Sequence, residues 1–441
     1  MSSFNRRVSA PMTVNAAGTA VRSIPQEQQL VRLVLANLLF QDQFYVDGKT
    51  THQLVKELVA KVDPKFVQNL AIAARSKFKL RHIPLVLARE LARKSALTAD
   101  TLNSVIQRAD EMGDFLSLYW SEGKTPISNQ VKKGLAKAFG KFNEYQLAKY
   151  DRNSAAIRIR DVMFLTHVKP TSVEQAELFR KVANQQLKTP DTWETQLSAG
   201  ADKKETFERL MAERKLGALA FLRNLRNMVQ AGIDESMIRA YAKEVDASRV
   251  LPFRYIAAAR IVPQFEDMLE DMMIRSLATC EKLPGKTKLY LDVSSSTFGV
   301  PVSAKSDLTR QDAILALGML CREICEEVEI YSFSGHALRI PAHRGFALAD
   351  AIKNSQHCTG TRLGESLSQF ADSKSDRIIV ITDEQSHDRV RGPKAYGGDK
   401  GYFLNVGTYQ NGINSGEWET ITGFSEASID YIQALEKEFS I

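Results

Sequence analysis

Apolar positions recur at i, i+3 and i+4 through most of the first 275 residues, the signature of helices that bury one face. The spacing predicts helices over 27–39, 52–61, 64–76, 84–93, 100–110, 128–139, 173–186, 207–213, 216–231 and 234–243. Start signals agree with several of these, as in Asp63-Pro64 and Thr171-Ser-Val-Glu174. Period-two alternation is nearly absent there. Many helices joined by short turns describe stacked helix pairs better than one compact bundle.

Beyond residue 275 the pattern changes to short apolar runs separated by helical segments. Lys288-Leu-Tyr-Leu-Asp292 and Arg377-Ile-Ile-Val-Ile-Thr-Asp383 read as buried strands, with a further strand over 328–333. Helical segments over 310–326 and 364–371 lie between them. Strands alternating with helices imply a parallel sheet whose ligand site lies at the carboxyl ends of the strands. The expected organisation is an N-terminal arm (1–24), a helical domain (25–275) and an α/β domain (276–441).

Chemistry collects at those strand ends. Asp292, Ser294 and Ser296 put one carboxylate and two hydroxyls at alternate positions, a cup of hard oxygens suited to a divalent cation such as Mg2+. The loop His357-Cys-Thr-Gly-Thr-Arg-Leu-Gly364 brings Thr359 and Thr361, and the later strand ends on Asp383.

The 441 residues are too many for one ordinary core. With 44% hydrophobic and 25% charged residues, and no apolar run of the roughly 20 needed to cross a bilayer, a membrane-spanning role is not expected. The first 24 residues lack the apolar centre of a secretory signal. Four cysteines in so long a chain predict reduced thiols and a cytoplasmic protein.

The net charge of +7 conceals an asymmetry. Residues 1–275 hold 42 Lys and Arg against 30 Asp and Glu, whereas the remainder holds 17 against 22. A basic half joined to a mildly acidic one points to a polyanion partner for the first, with nucleic acid the foremost candidate. Three clusters concentrate the charge: Lys77, Lys79 and Arg81 around Phe78; Lys132, Lys133, Lys137 and Lys141 on one helical pattern with small residues between; and Arg158, Arg160, His167 and Lys169. Arg223 and Arg226 share a helix face farther on.

Several segments resemble known families. Leu165-Thr-His-Val-Lys-Pro170, Thr192-Trp-Glu-Thr-Gln-Leu-Ser-Ala-Gly200, Lys215-Leu-Gly-Ala-Leu-Ala-Phe-Leu-Arg-Asn-Leu-Arg-Asn-Met228 and Leu251-Pro-Phe-Arg-Tyr-Ile-Ala-Ala-Ala259 are similar to the TROVE module of the Ro 60 kDa autoantigen and its bacterial relatives. The Asp292-x-Ser294-x-Ser296 motif with the later Gly-Thr loop and strand-Thr-Asp resembles the metal-ion-dependent adhesion site of von Willebrand factor A domains. Together these imply an all-α ring of HEAT-like helix pairs followed by an α/β, Rossmann-like von Willebrand factor A domain.

The resemblance further implies a small structured Y-like non-coding RNA on the outer face of the ring, and single-stranded ends of misfolded RNA in its central hole. It also implies an exoribonuclease, polynucleotide phosphorylase, tethered through RNA. Arg160 matches a basic position of the family's Y RNA contact segment, while Phe164 stands where vertebrate relatives carry a second basic residue. Metal ligands would be Asp292, Ser294, Ser296 and Thr361, with Asp383 as the third-loop ligand; Mg2+ is expected, with Mn2+ as the other candidate. Glu384 stands where many such domains have Gly.

No catalytic residues are expected, because the oxygen set describes a single site rather than a two-metal clamp. His357 and His387 are the nearest candidate bases. The alternative to an RNA scaffold is a protein-binding module whose cation accepts a partner's carboxylate. A monomer is expected, since no sustained heptad is present.

Overall fold

The computed structural model describes residues 13–14, 20–21, 26–36, 45–46, 49–78, 80–152, 154–248, 250, 252–278, 280–301, 308–356, 360–383, 386, 388–406, 417–422 and 427–436. Lys79, His357, Cys358, Thr359, Glu384, His387 and nearly all of the expected N-terminal arm lie outside them. The chain divides into two compact units, one built chiefly of Gln43–Gly200 with Pro25–Leu35, the other chiefly of Ala201–Lys437.

The first unit contains helices α1 Gln26–Ala36, α2 Thr51–Lys61, α3 Pro64–Ser76, α4 His82–Arg93, α5 Ala99–Val105, α6 Asp110–Tyr119, α7 Asn129–Gly140, α8 Glu144–Tyr150, α9 Ile159–Thr166, α10 Val173–Ala183 and α11 Trp193–Ser198. Their starts follow local chemistry. Asp63 accepts from the Phe66 N–H ahead of α3, Thr98 from Thr101 ahead of α5, and Asn143 forms a reciprocal capping box with Gln146 at α8. Buried apolar stripes seat α3 on α4, α4 on α6, α5 on α7 and α7 on α9.

The helix expected over 100–110 is instead two. α5 stops at Val105 because Ile106 turns extended, at φ −79° and ψ 112°. The N–H groups of Gln107 and Arg108 then donate to Glu111 Oε2 at 2.9 and 3.1 Å, which fixes the turn into α6. Lys141 Nζ, reaching across from α7, donates to the carbonyls of Asn103 and Ile106 that the end of α5 leaves open.

The second unit begins with α12 Lys203–Ala212, α13 Ala218–Gln230, α14 Glu235–Glu244, α15 Pro252–Ile261 and α16 Glu266–Leu277. It continues into strands β1 Leu283–Asp292, β2 Cys325–Phe333, β3 Ala337–Arg339, β4 Ser375–Thr382, β5 Gly398–Asn405 and β6 Glu419–Thr422. Helices α17 Arg310–Ile324, α18 Gly345–Lys353, α19 Leu363–Ser368 and α20 Ala427–Glu436 accompany the sheet. The strand order is β6-β5-β4-β1-β2-β3, parallel except for β3, which pairs antiparallel with β2.

β1 lies inside the sheet, with Leu289 opposite Ile330 of β2 and Ile379 of β4. Its Leu289-Tyr-Leu run and the Ile378-Ile-Val-Ile of β4 are wholly buried, as strands covered on both faces must be. α17 stops at Ile324, two residues short of the expected end, because Cys325 already opens β2.

The change of pattern near residue 275 marks a change of secondary structure within one packed unit. α15 and α16 rest on α17, and α16 also on α18. Arg260 pairs with Asp312, and Glu270 accepts the N–H of Phe346 at 2.7 Å.

Candidate functional site: cationic helices and a strand-end oxygen cup

The cationic clusters separate once side-chain partners are known. Arg75 is buried and bonds Glu111 at 2.6 Å as well as the carbonyls of Val105 and Leu80. Arg81 reaches Glu111 at 3.3 Å and Asp110 at 3.1 Å, with Asp114 at 3.8 Å. This cluster therefore holds α3, α4 and α6 together through a buried carboxylate, leaving Lys77 exposed over the ring of the buried Phe78.

On α7, Lys132 is half-buried and Lys133 exposed, Lys137 pairs with Asp100 at 2.6 Å, and Lys141 is the cap of α5. The small residues between them serve packing. A Cβ on Gly134 would lie 2.8 Å from Leu102 Cβ and 3.0 Å from the Ala99 carbonyl, so Gly134 sets the close approach of α5.

α9 presents a different surface. The Arg160 guanidinium sits 5.6 Å from the centroid of the Phe164 ring, and Phe164 is 52% exposed. His167 ends the helix in the left-handed region at φ 52°, and both it and Lys169 are exposed. Arg158 precedes the helix and pairs with Asp151 at 3.4 Å.

In the second unit Arg223 and Arg226 are exposed on α13, while Asn224 turns inward, donating to the Ala220 carbonyl and accepting from Asn227, both at 2.9 Å. The basic excess lies almost wholly earlier in the chain: residues 43–200 hold 25 Lys and Arg against 16 Asp and Glu, residues 201–275 hold 13 against 12.

The sheet order reverses between β1 and β4, and the expected oxygen cup lies at the carboxyl ends of those two strands. Asp292 is fully buried; its Oδ1 accepts the Ser294 N–H at 2.8 Å and its Oδ2 the Thr382 hydroxyl at 2.6 Å. The Ser294 and Ser296 hydroxyl oxygens are 3.1 Å apart, with Ser296 partly open to solvent. Burial pushes the Asp292 carboxyl up to about 6 against the pull of the Ser294 and Thr382 hydrogen bonds, and nearby Asp383 adds to the rise. Asp383, also buried, meets the Arg310 guanidinium at 3.2 Å. Thr361 is buried just before α19, beside Arg362, whose N–H donates to the Ser334 carbonyl past the end of β2.

Comparison with known proteins gives a consistent picture. Residues 181–288 match the TROVE domain model. That segment is similar to a TROVE domain. The chain's curated relatives include the proteins named telomerase protein component 1 of Mus musculus, 35% identical over 89 residues, and of Rattus norvegicus, 34% identical over 89 residues. Each alignment takes in 19% of this chain, and the chain spans only 3% of either relative's length. The crystal structure of the Deinococcus radiodurans Ro (Rsr) protein has the same fold, at a TM-score of 0.68 and 16% identity over 94% of this chain and 100% of that one.

The oxygen cup suits a hard divalent cation by donor chemistry. Hydroxyls at octahedral neighbouring positions on Mg2+ stand roughly 3 Å apart given bonds of about 2.1 Å, which matches the Ser294–Ser296 separation. The buried Asp292 beside Asp383 is a charge arrangement that a cation would relieve. Sequence reasoning missed Arg310, which sets a fixed positive charge against Asp383, and Thr382, which orients Asp292. Thr382 stood within the strand motif and could have been read as a second hydroxyl. Nothing local marks Arg310, which meets Asp383 across 73 positions of sequence.

Proposed function

We propose that this chain is an RNA-binding scaffold of the TROVE family whose first unit carries the contact surface. The observation that supports it most is the Arg160–Phe164 pair on α9. A half-exposed ring with a guanidinium over it gives an unpaired base a face to stack on, and Arg160, His167 and Lys169 are placed for the adjoining phosphates. Exposed Lys133 on α7, which packs against α9, extends the charge. In its finer form the ligand is a small structured Y-like non-coding RNA, with single-stranded ends of misfolded RNA as a second class. The role is RNA quality control or turnover, with an exoribonuclease joined through the RNA. The scaffold acts as a monomer and performs no catalytic step of its own.

The test is equilibrium binding of a labelled single-stranded oligoribonucleotide and of a small hairpin RNA to the full chain, with Phe164→Ser and Arg160→Ser alongside. Loss of one stacked base is worth about 1–3 kcal/mol, or roughly 5- to 150-fold in affinity. Unchanged affinity in both variants, or no RNA binding at low salt, would refute the reading.

The oxygen cup supports a second function in the other unit. Asp292, Ser294, Ser296 and Thr361, with Asp383 held by Arg310, would bind Mg2+ or Mn2+, and the cation would supply a Lewis-acidic position for a partner protein's carboxylate. Partner capture that survives EDTA would count against it.

A further inference from the structure

The candidate cation site in the second unit holds a positive charge of its own. Arg310 stands in the first turn of α17, where Thr309 and Asp312 form a reciprocal capping box and the Arg310 N–H donates to the Val300 carbonyl at 2.9 Å. That anchoring directs a side chain only 7% exposed to the end of β4, where Nη1 meets Asp383 Oδ2 at 3.2 Å. The other carboxylate of that turn, Asp312, is engaged by the Thr309 N–H and hydroxyl, both at 2.7 Å, and by Arg260.

Among the described residues of the cup, two carboxylates, Asp292 and Asp383, therefore share one guanidinium. Both carboxylates are completely buried, and a buried charge without a partner is strongly destabilising. Arg310 matches one of the two, so a divalent ion meets one net negative charge instead of two. The ion also enters against the fixed guanidinium. At an effective dielectric of roughly 20, two unit charges about 8 Å apart alter an affinity by more than about tenfold.

We propose that Arg310 is a tethered counter-cation of this site. It competes with the divalent ion for Asp383, keeps the fold intact when no ion is bound, and sets the cup for weak, exchangeable binding. The site then fills and empties with the free divalent concentration instead of holding a permanent structural ion. The proposal rests on the cation-site reading of the cup, but it assigns a role to a residue that is not a ligand.

The experiment is calorimetric titration of the full chain with Mg2+ and with Mn2+ near neutral pH, wild type beside Arg310→Gln and Arg310→Lys, paired with thermal melts in EDTA and in millimolar Mg2+. Arg310→Gln should bind both ions about tenfold more tightly or better. Arg310→Lys, which keeps the charge, should stay within about threefold of wild type. In EDTA, Arg310→Gln should melt roughly 6–20 °C below wild type, the scale of one broken buried ion pair in a unit of this size, and Mg2+ should restore most of the difference. A purely architectural ion pair predicts the opposite sign: losing Arg310 would loosen the cup, weaken both ions and leave a defect that Mg2+ does not repair. That result, equal affinities in wild type and Arg310→Gln, or an Arg310→Gln chain still unfolded in Mg2+, would overturn the proposal while wild-type binding kept the cation site standing. Failure of wild type and Arg310→Gln alike to bind either ion would overturn the cation-site reading as well. Asp292→Asn added to Arg310→Gln should abolish the gain in affinity; a gain that persists would place the ion outside the cup and count against the proposal.

Discussion

Replacing Glu111 by Ala tests whether the first basic cluster is architecture. The Glu111 carboxylate is completely buried and accepts four hydrogen bonds: from Arg75 at 2.6 Å, Arg81 at 3.3 Å, Gln107 N–H at 2.9 Å and Arg108 N–H at 3.1 Å. The substitution strands the Arg75 guanidinium, itself almost wholly buried, without its counter-ion and opens the turn between α5 and α6. Arg75 keeps the carbonyls of Val105 and Leu80, so the loss should match that of breaking one buried ion pair, about 3–5 kcal/mol. For a unit of this size, at about 2–4 °C per kcal/mol, the midpoint should fall by roughly 6–20 °C. Scanning calorimetry of the full chain reads the shift, and hydrogen exchange on α3 and α6 assigns it to the first unit. Lys137→Ala, which breaks a solvent-exposed pair with Asp100, is the control and should cost no more than about 1 kcal/mol. Equal effects for the two variants would refute the argument and return Arg75 and Arg81 to the pool of cations available for phosphate.

Three further outcomes follow. Gly134→Ala should destabilise by about 1–3 kcal/mol through its clash with Leu102 and the Ala99 carbonyl, yet leave RNA affinity per folded molecule unchanged; chemical denaturation and filter binding on one preparation check both halves. Lys133→Ser should reduce the salt dependence of single-strand binding by roughly 0.7 in the log–log slope, whereas Lys141→Ser should leave the slope unchanged and lower the melting temperature, because Lys141 serves the carbonyls of α5. Mg2+ should raise the melting temperature of the wild-type chain and not that of Asp292→Asn, with EDTA reversing the effect; an equal response in both would remove Asp292 from the metal site.

Much of the architecture was written in local pattern. Asp63-Pro64 starts α3 where the cap chemistry places it, and helices near 64–76, 128–139 and 234–243 lie within a residue of their expected bounds, since apolar period and capping act over a few positions. The buried runs of β1 and β4 were equally legible, each ending on or just before an aspartate. Shorter elements escaped. α8, α9 and α11 have six to eight residues, too few for a 3.6-residue period to show, and they are held by neighbours more than by their own sequence.

What a cation does, by contrast, was decided only by tertiary structure. Arg75, Arg81, Lys133 and Lys141 look alike in sequence as solvated basic residues. Packing gives Arg75 and Arg81 the buried carboxylate of Glu111, gives Lys141 the open carbonyls of α5, and leaves Lys133 to solvent. The same holds for Arg310 against Asp383. The reason is range: hydrophobic period and capping act between neighbours along the chain, whereas the fate of a long charged side chain depends on which carboxylate, carbonyl or solvent the fold brings within reach of its tip.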